Sequence, residues 1–384
     1  MIWKFLLGQL LRRLSYGRVT VHFWDGSIRH FGISGPRVEV TVRNSGVIRR
    51  IPRNASLAIG EAYMKGGLLI DSLPTFFELV AKNRLSFKIS QPAWRPRNRR
   101  NRQQSQIAHH YDVGNDYYRL FLDPALLYSC AYYKTGDDTL EVAQQQKIML
   151  ILNKLLLEPG HKLLDIGCGW GHLAVAAAKI YGVEALGITL SEEQLHGARE
   201  LAEREDVSDL VRFKLMNYQE VTGKFDRVVS VGMFEHVGRG QHDRYFRKVH
   251  ELLVQGGISV LHTITTMRDH AIDPWVARYI FPGGHLPTVS GIEGQLEGCG
   301  FWSLHRENLW EHYAWTLGDW AREHEVHRDQ IVDMYDEVFY RMRQFWLRGS
   351  EAAFRYGDLG LAQIIFSNGK PENWPRTCEF MTVN

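Results

Sequence analysis

The chain has 384 residues, 45% hydrophobic and 23% charged, with a formal net charge of +3. That length accommodates one large domain plus a smaller one, and the near balance of charge argues against a polybasic nucleic-acid binder. Four widely spread cysteines (Cys130, Cys168, Cys299 and Cys378) argue against a disulfide scaffold or a zinc site and suit a reducing cytoplasm.

Residues 1–14 are apolar but interrupted by Lys4, Gly8 and Gln9, and basic residues follow them. They read as an amphipathic helix of the mature protein rather than a signal peptide or a membrane span. Trp3, Leu6, Leu7, Leu10 and Leu14 fall near one face, with Lys4, Arg12 and Arg13 flanking it. Such a helix either lies on a membrane surface or packs inside its own domain. Alternation at 18–24 and 38–42 predicts strands, and a helical stretch over 60–85 closes a first region spanning 1–90. Residues 91–105 lack apolar periodicity and carry Arg95, Arg97, Arg99, Arg100 and Arg102. This is a basic linker, either solvated or attracted to an anionic membrane surface.

From 106 to 384 strands and helices alternate, which predicts an open, mostly parallel α/β sheet. Strands are expected at 161–166, 182–190, 211–216, 225–231 and 258–264, with 301–305 and 361–367 as a closing hairpin.

The sharpest local signal is Leu164-Asp165-Ile166-Gly167-Cys168-Gly169-Trp170-Gly171. Glycines after a buried strand let the backbone turn tightly and approach a ligand closely. The G-x-G-x-G spacing is neither a dinucleotide fingerprint nor a phosphate-binding P-loop. Asp165 ahead of the glycines suits a ligand with a cationic amino-acid head, which points to S-adenosylmethionine. Thr189, Leu190 and Gln194 follow the second strand, where such cofactors place their ribose, and Asn217 and Tyr218 end the third, near the expected adenine.

Further motifs stand around this loop. They are Ile107-Ala-His109-His110-Tyr111-Asp112, Leu127-Tyr128-Ser129-Cys130-Ala131-Tyr132-Tyr133, Val231-Gly-Met-Phe-Glu235-His-Val-Gly, Leu261-His262-Thr-Ile264 and Tyr279-Ile-Phe-Pro-Gly-Gly-His-Leu-Pro. In this order the chain from about 106 onward resembles cyclopropane-fatty-acyl-phospholipid synthases, whose catalytic half the mycolic acid cyclopropane synthases share. Gly60-Glu-Ala-Tyr-Met-Lys-Gly extends the likeness weakly into the N-terminal region.

The resemblance implies a class I S-adenosylmethionine-dependent methyltransferase fold, Rossmann-like with a mostly parallel seven-stranded sheet, behind a smaller α+β N-terminal domain. It implies transfer of a methylene group to the cis double bond of an unsaturated phospholipid acyl chain. The steps would be methyl transfer, a carbocation, and proton removal by bound bicarbonate. The bicarbonate ligands map to Cys130, Glu235, His262, Tyr313 and the backbone N–H of Ile264, and Tyr128 and Ser129 would touch the cofactor. A homodimer at the cytoplasmic face of the membrane, binding neither nucleic acid nor metal, is expected. The alternative is an acyl C-methyltransferase that leaves the chain methylated without closing a ring. Ser350 stands where some family members carry a cysteine, so a thiol there is not required.

Chemistry supports the same residue types. An olefin must be positioned against an electrophile, and a carbocation needs a dry site with aromatic faces, for which Tyr132, Tyr133, Phe234, Tyr279 and Phe281 are candidates. A carboxylate at Glu235, ending an apolar run, is costly unless used. Cys130 reads equally as a small buried hydrophobe, His262 as a core histidine and Tyr313 as packing among Trp310, Trp315 and Trp320.

Overall fold

A computed structural model describes residues 2–83 and 114–382, apart from the side chains of Ile2, Trp3 and Leu6. The arginine run at 95–102, His109 and His110 lie outside the described residues, as do the side chains of Trp3 and Leu6.

The chain forms two compact units, and the one holding the N-terminus is discontinuous. It comprises Met1–Pro96, Ile272–Pro282 and Leu317–Asp358. The last two segments fall within the region expected to be catalytic. They join this unit because their aromatics pack on its helices: Trp275 lies against Gly60, and Phe345 meets Phe77 with ring centroids 4.8 Å apart. Four strands, β1 (Arg18–Phe23), β2 (Ile28–Gly32), β3 (Arg37–Val42) and β4 (Leu68–Ile70), form a sheet in the order β2-β1-β3-β4. The expected helical stretch over 60–85 is instead two helices, Ala55–Met64 and Leu73–Lys82, separated by β4. Gly66 takes a left-handed φ of +68° that ends the first helix, and Ser72 caps the second.

The N-terminal helix Ile2–Leu11 largely serves this unit's own core. Leu7 and Leu11 pack against this unit's buried cluster, which includes Leu14, Val19, Val21 and Phe31. Lys4 is buried, paired with Asp25 and donating to the Ser27 hydroxyl at 2.8 Å. Its ammonium also sits over the rings of Phe23 and Trp24. Lys4, Leu7 and Leu14 therefore act inside the domain and are not free to flank a membrane-facing stripe. Phe5 is exposed.

The second unit comprises Arg97–Ala271, Gly283–Thr316 and Leu359–Asn384. Its strands are β5 (Lys162–Ile166), β6 (Glu184–Thr189), β7 (Val211–Leu215), β8 (Phe225–Val231), β9 (Leu253–Thr266), β10 (Phe301–Asn308) and β11 (Leu359–Asn368). The order is β10-β11-β9-β8-β5-β6-β7, parallel from β9 to β7 and antiparallel at β11 with both neighbours. A mostly parallel sheet is what the alternation predicts and seven strands what the resemblance implies, and β10 pairs with β11 as expected. Near-continuous apolar strands with helices on both faces bury it on each side. The chain runs outward from β5 through β6 to β7 and then returns to β8 on the other side of β5. Where the order reverses, the loops after the strands part and leave a crevice at their carboxyl ends.

Candidate active site

That crevice is the cleft of the second unit. It is lined by Asp165, Gly167, Cys168, Gly169 and Trp170 after β5, Thr189, Leu190 and Gln194 after β6, and Asn217 and Tyr218 after β7. Tyr128 and Ser129 close one wall. Gly171, expected among these residues, does not line the cleft. At φ +84° it starts the helix His172–Tyr181, and a Cβ there would stand 2.6 Å from the Phe213 ring and 2.9 Å from the Ala198 methyl. It is a glycine because helix and sheet close tightly beneath the loop. At Gly169 a Cβ would meet nothing within 4 Å, so this glycine leaves the floor of the cleft open.

The polar groups are placed rather than loose. Thr189 donates to Gln194 Oε1 at 2.8 Å, and Asn217 Oδ1 accepts from the Gln219 N–H at 3.0 Å. Burial lifts the Asp165 carboxyl to about 7, opposed by the Lys147 ammonium. Lys147 is fully enclosed and donates to the Ser129 hydroxyl at 2.9 Å, while burial lowers it to about 8. On the same helix (Leu140–Leu155), Gln144 donates to the carbonyls of Leu127 and Ser129. Sequence reasoning missed Lys147 and Gln144. They lie in the polar run Gln144-Gln145-Gln146-Lys147, so nothing local in the sequence marks these two as buried. Met233 and His236 also line the cleft without having been anticipated. The arrangement fits S-adenosylmethionine, with an enclosed carboxylate for a cationic head and an open glycine floor.

A second cluster lies across β8, β9 and β11. Glu235 sits in a 3₁₀ turn after β8, and its Oε1 accepts from the Ile264 N–H at 2.6 Å. The Ile264 N–H, expected to hold bicarbonate, is thus directed at Glu235. Oε2 of Glu235 is enclosed and makes no hydrogen bond of standard geometry among the described residues, and burial raises the carboxyl above its usual range, opposed by the Ile264 N–H and the nearby Thr263 hydroxyl. His262 stands two residues before Ile264 on β9, so both side chains share one face of the sheet. Its Nδ1 meets Gln363 Nε2 at 2.9 Å, and its Nε2 is enclosed without a partner among the described residues.

Cys130 and Tyr313 converge on one carbonyl. The Cys130 thiol lies 4.0 Å from the Leu309 oxygen, which also accepts the Tyr313 N–H at 3.1 Å. Leu309 in turn donates to Leu361, the register partner of Ile264. The tertiary structure therefore connects Cys130, the Tyr313 backbone, Ile264 and Glu235 through Leu309 and Leu361. Cys130 is completely buried, and that burial pushes its thiol far above the usual range, so it is no nucleophile.

The aromatic candidates divide. Tyr132 stacks on His312 at 4.7 Å, and Tyr133 packs edge-on to Trp315. Phe234 is core instead, stacked on His242 and enclosed by Tyr245 and Phe246. Tyr279 and Phe281 belong to the other unit, where Tyr279 donates to Glu61 and Phe281 meets Trp346.

Comparison with known proteins follows this geometry. Residues 98–364 match the model of the family described as mycolic acid cyclopropane synthetase, and residues 6–91 match a domain of unknown function. The cyclopropane-fatty-acyl-phospholipid synthase of Escherichia coli (strain K12) is 39% identical over 86% of this chain and 88% of its own length. A probable fatty acid methyltransferase of Pseudomonas putida is 34% identical over 89% of this chain and 90% of its own. The crystal structure of mycolic acid cyclopropane synthase CmaA1 complexed with SAH and CTAB is 33% identical. It aligns with a TM-score of 0.66, covering 72% of this chain and all of that one.

Proposed function

Because the chain belongs to the mycolic acid cyclopropane synthetase family, we propose that it converts the cis double bond of an unsaturated phospholipid acyl chain into a cyclopropane ring. S-adenosylmethionine supplies an electrophilic methyl group when bound. Asp165 and the glycine loop would hold its cationic amino-acid head, Thr189 and Gln194 its ribose, and Asn217 and Tyr218 would line the adenine end of the cleft. The protein's part in the first step is positioning and exclusion of water, since an olefin offers no proton to abstract at the outset. Tyr132 and Tyr133 provide ring faces in this unit suited to a transient cation.

Ring closure then requires a proton acceptor. The observation that carries this reading is that Glu235 Oε2 and His262 Nε2, on residues connected through β9, are each enclosed without a hydrogen-bond partner among the described residues. A lone buried acceptor and a lone buried ring nitrogen are costly unless a ligand meets them. They match bicarbonate, whose O–H would be taken by Glu235 and whose anionic oxygen would face His262. Tyr313 and Cys130 would complete its surroundings. The enzyme would work as a peripheral protein at the cytoplasmic face of the membrane, and as a homodimer. Among the described residues no helix is long and apolar enough to cross a bilayer.

The test is incubation of purified protein with monounsaturated phospholipid vesicles and S-adenosylmethionine, with and without removal of dissolved carbonate. Acyl products fourteen mass units heavier and bearing a cyclopropane ring, formed in a bicarbonate-dependent manner, are expected. A methylated chain that keeps its unsaturation would favour the C-methyltransferase reading, which the Pseudomonas putida relative's name also suggests.

A further inference from the structure

Behind His262 lies a buried polar chain that the reaction, as derived so far, does not use. Lys154 ends the helix Leu140–Leu155 completely enclosed, paired with Glu307 of β10 and donating to Gln363 Oε1 at 2.6 Å. Gln363 lies on β11 directly opposite His262 in register, and its Nε2 meets His262 Nδ1 at 2.9 Å. All four side chains belong to the catalytic unit.

The orientation of each link follows from donor and acceptor chemistry alone. An ammonium has three donors and no acceptor, so Lys154 must face the amide oxygen of Gln363. Burial lowers the Lys154 ammonium, and the Glu307 carboxylate paired with it opposes that shift. With its oxygen committed, Gln363 presents only N–H to the imidazole. Nδ1 of His262 must then accept, and the ring proton must sit on Nε2, the nitrogen without a partner. Burial holds the imidazole well below its usual range, so the ring is neutral and the choice of tautomer is a real one.

We propose that Lys154 and Gln363 are positioning residues that lock His262 as its Nε2–H tautomer, making it a hydrogen-bond donor into the site and not the base for ring closure. Both ring nitrogens are then committed, one to the amide and one to its own proton, so the imidazole has no lone pair with which to take the substrate's proton. This deepens the bicarbonate reading and rests on it for what His262 donates to. The relay itself is independent of the identity of that acceptor.

The decisive measurement is the nitrogen spectrum of the full-length enzyme labelled with ¹⁵N-histidine, the His262 pair being identified by its loss in His262→Gln. The wild type is expected to show a protonated Nε2 and a hydrogen-bonded, unprotonated Nδ1. Gln363→Glu replaces the amide donor with an acceptor and should draw a proton onto Nδ1. It should also lower turnover on the order of a hundredfold, as for loss of one aimed donor, while S-adenosylhomocysteine affinity stays within about twofold. Lys154→Met should release the amide and give mixed tautomers. A wild-type spectrum with the proton on Nδ1, or unchanged tautomer and turnover in Gln363→Glu, overturns the relay. If Gln363→Glu fails to fold, the wild-type spectrum alone decides. An Nε2–H tautomer with turnover indifferent to carbonate would keep the relay and remove the bicarbonate reading.

Discussion

Replacing Glu235 with Gln separates catalysis from architecture at one atom. The carboxylate makes two different commitments. Oε1 accepts the Ile264 N–H at 2.6 Å, and the enclosed Oε2 makes no hydrogen bond of standard geometry among the described residues. A glutamine keeps the shape and its carbonyl can retain the Ile264 bond, so the change falls on the second oxygen, which becomes a donor. If that oxygen takes the hydrogen of a bound anion, the lost charge-assisted bond is worth about 1.5–3 kcal/mol. That corresponds to roughly a 10- to 150-fold fall in turnover. Glu235 does not line the cofactor cleft, although Met233 and His236 do, so the affinity for S-adenosylhomocysteine should stay within about twofold. The assay pairs product formation on monounsaturated vesicles at saturating S-adenosylmethionine with calorimetric titration of S-adenosylhomocysteine. If affinity falls in step with turnover, Glu235 braces the cleft and the catalytic argument fails. Unchanged turnover would refute it equally.

Other perturbations probe neighbouring claims. With its carboxyl lifted to about 7 by burial, Asp165 should be largely protonated at pH 5.5 before a ligand binds. A cationic head binds the carboxylate and so releases a proton there, and affinity for S-adenosylhomocysteine should rise by at most about tenfold per pH unit up to about 7 and then level off. A flat calorimetric profile from pH 5.5 to 8.5 would show that Asp165 does not meet the ligand's charge. Gly171→Ala combines a left-handed backbone with a Cβ 2.6 Å from Phe213. The cost should be about 2–5 kcal/mol, read by denaturant unfolding, and an unaltered midpoint would contradict the packing role. Gly197→Ala, inside the helix Glu192–Arg204, gains helix propensity but places a methyl 2.6 Å from the Trp170 ring. Stability should hold while cofactor binding weakens, and unchanged binding would show that Trp170 is unimportant to the cleft. Iodoacetamide should leave Cys130 unmodified in the native protein while labelling the exposed Cys378. Rapid modification of Cys130, read by peptide mass spectrometry, would refute its burial.

The parts of the site legible in the sequence are those written in contiguous residues. The glycine loop announces itself because a strand that must turn at once into a helix, with a ligand beside it, constrains neighbours in the chain. Apolar runs in the same way placed β5, β6 and β8, and alternation placed the edge strand β7, whose Val211 and Phe213 are buried while Arg212 and Lys214 are exposed. The helical stretch over 60–85 was misread because β4 is only three residues long, and its pairing with β3 is a long-range fact.

The sequence by itself determined the fold class, the cofactor loop and which residue types stand ready for chemistry, because each depends on backbone sterics and periodicity over a few positions. Only the tertiary structure decided what those residues do. It assigned Gly171 to packing through Phe213 and Ala198, Phe234 to the core, and Lys4 to its own domain. It also joined Lys154, Gln363 and His262, which lie far apart in the chain, into one hydrogen-bonded line. The reason is that a buried polar group is defined by its partners. Those partners come from whichever strands and helices the sheet order brings together, not from adjacent positions in the chain.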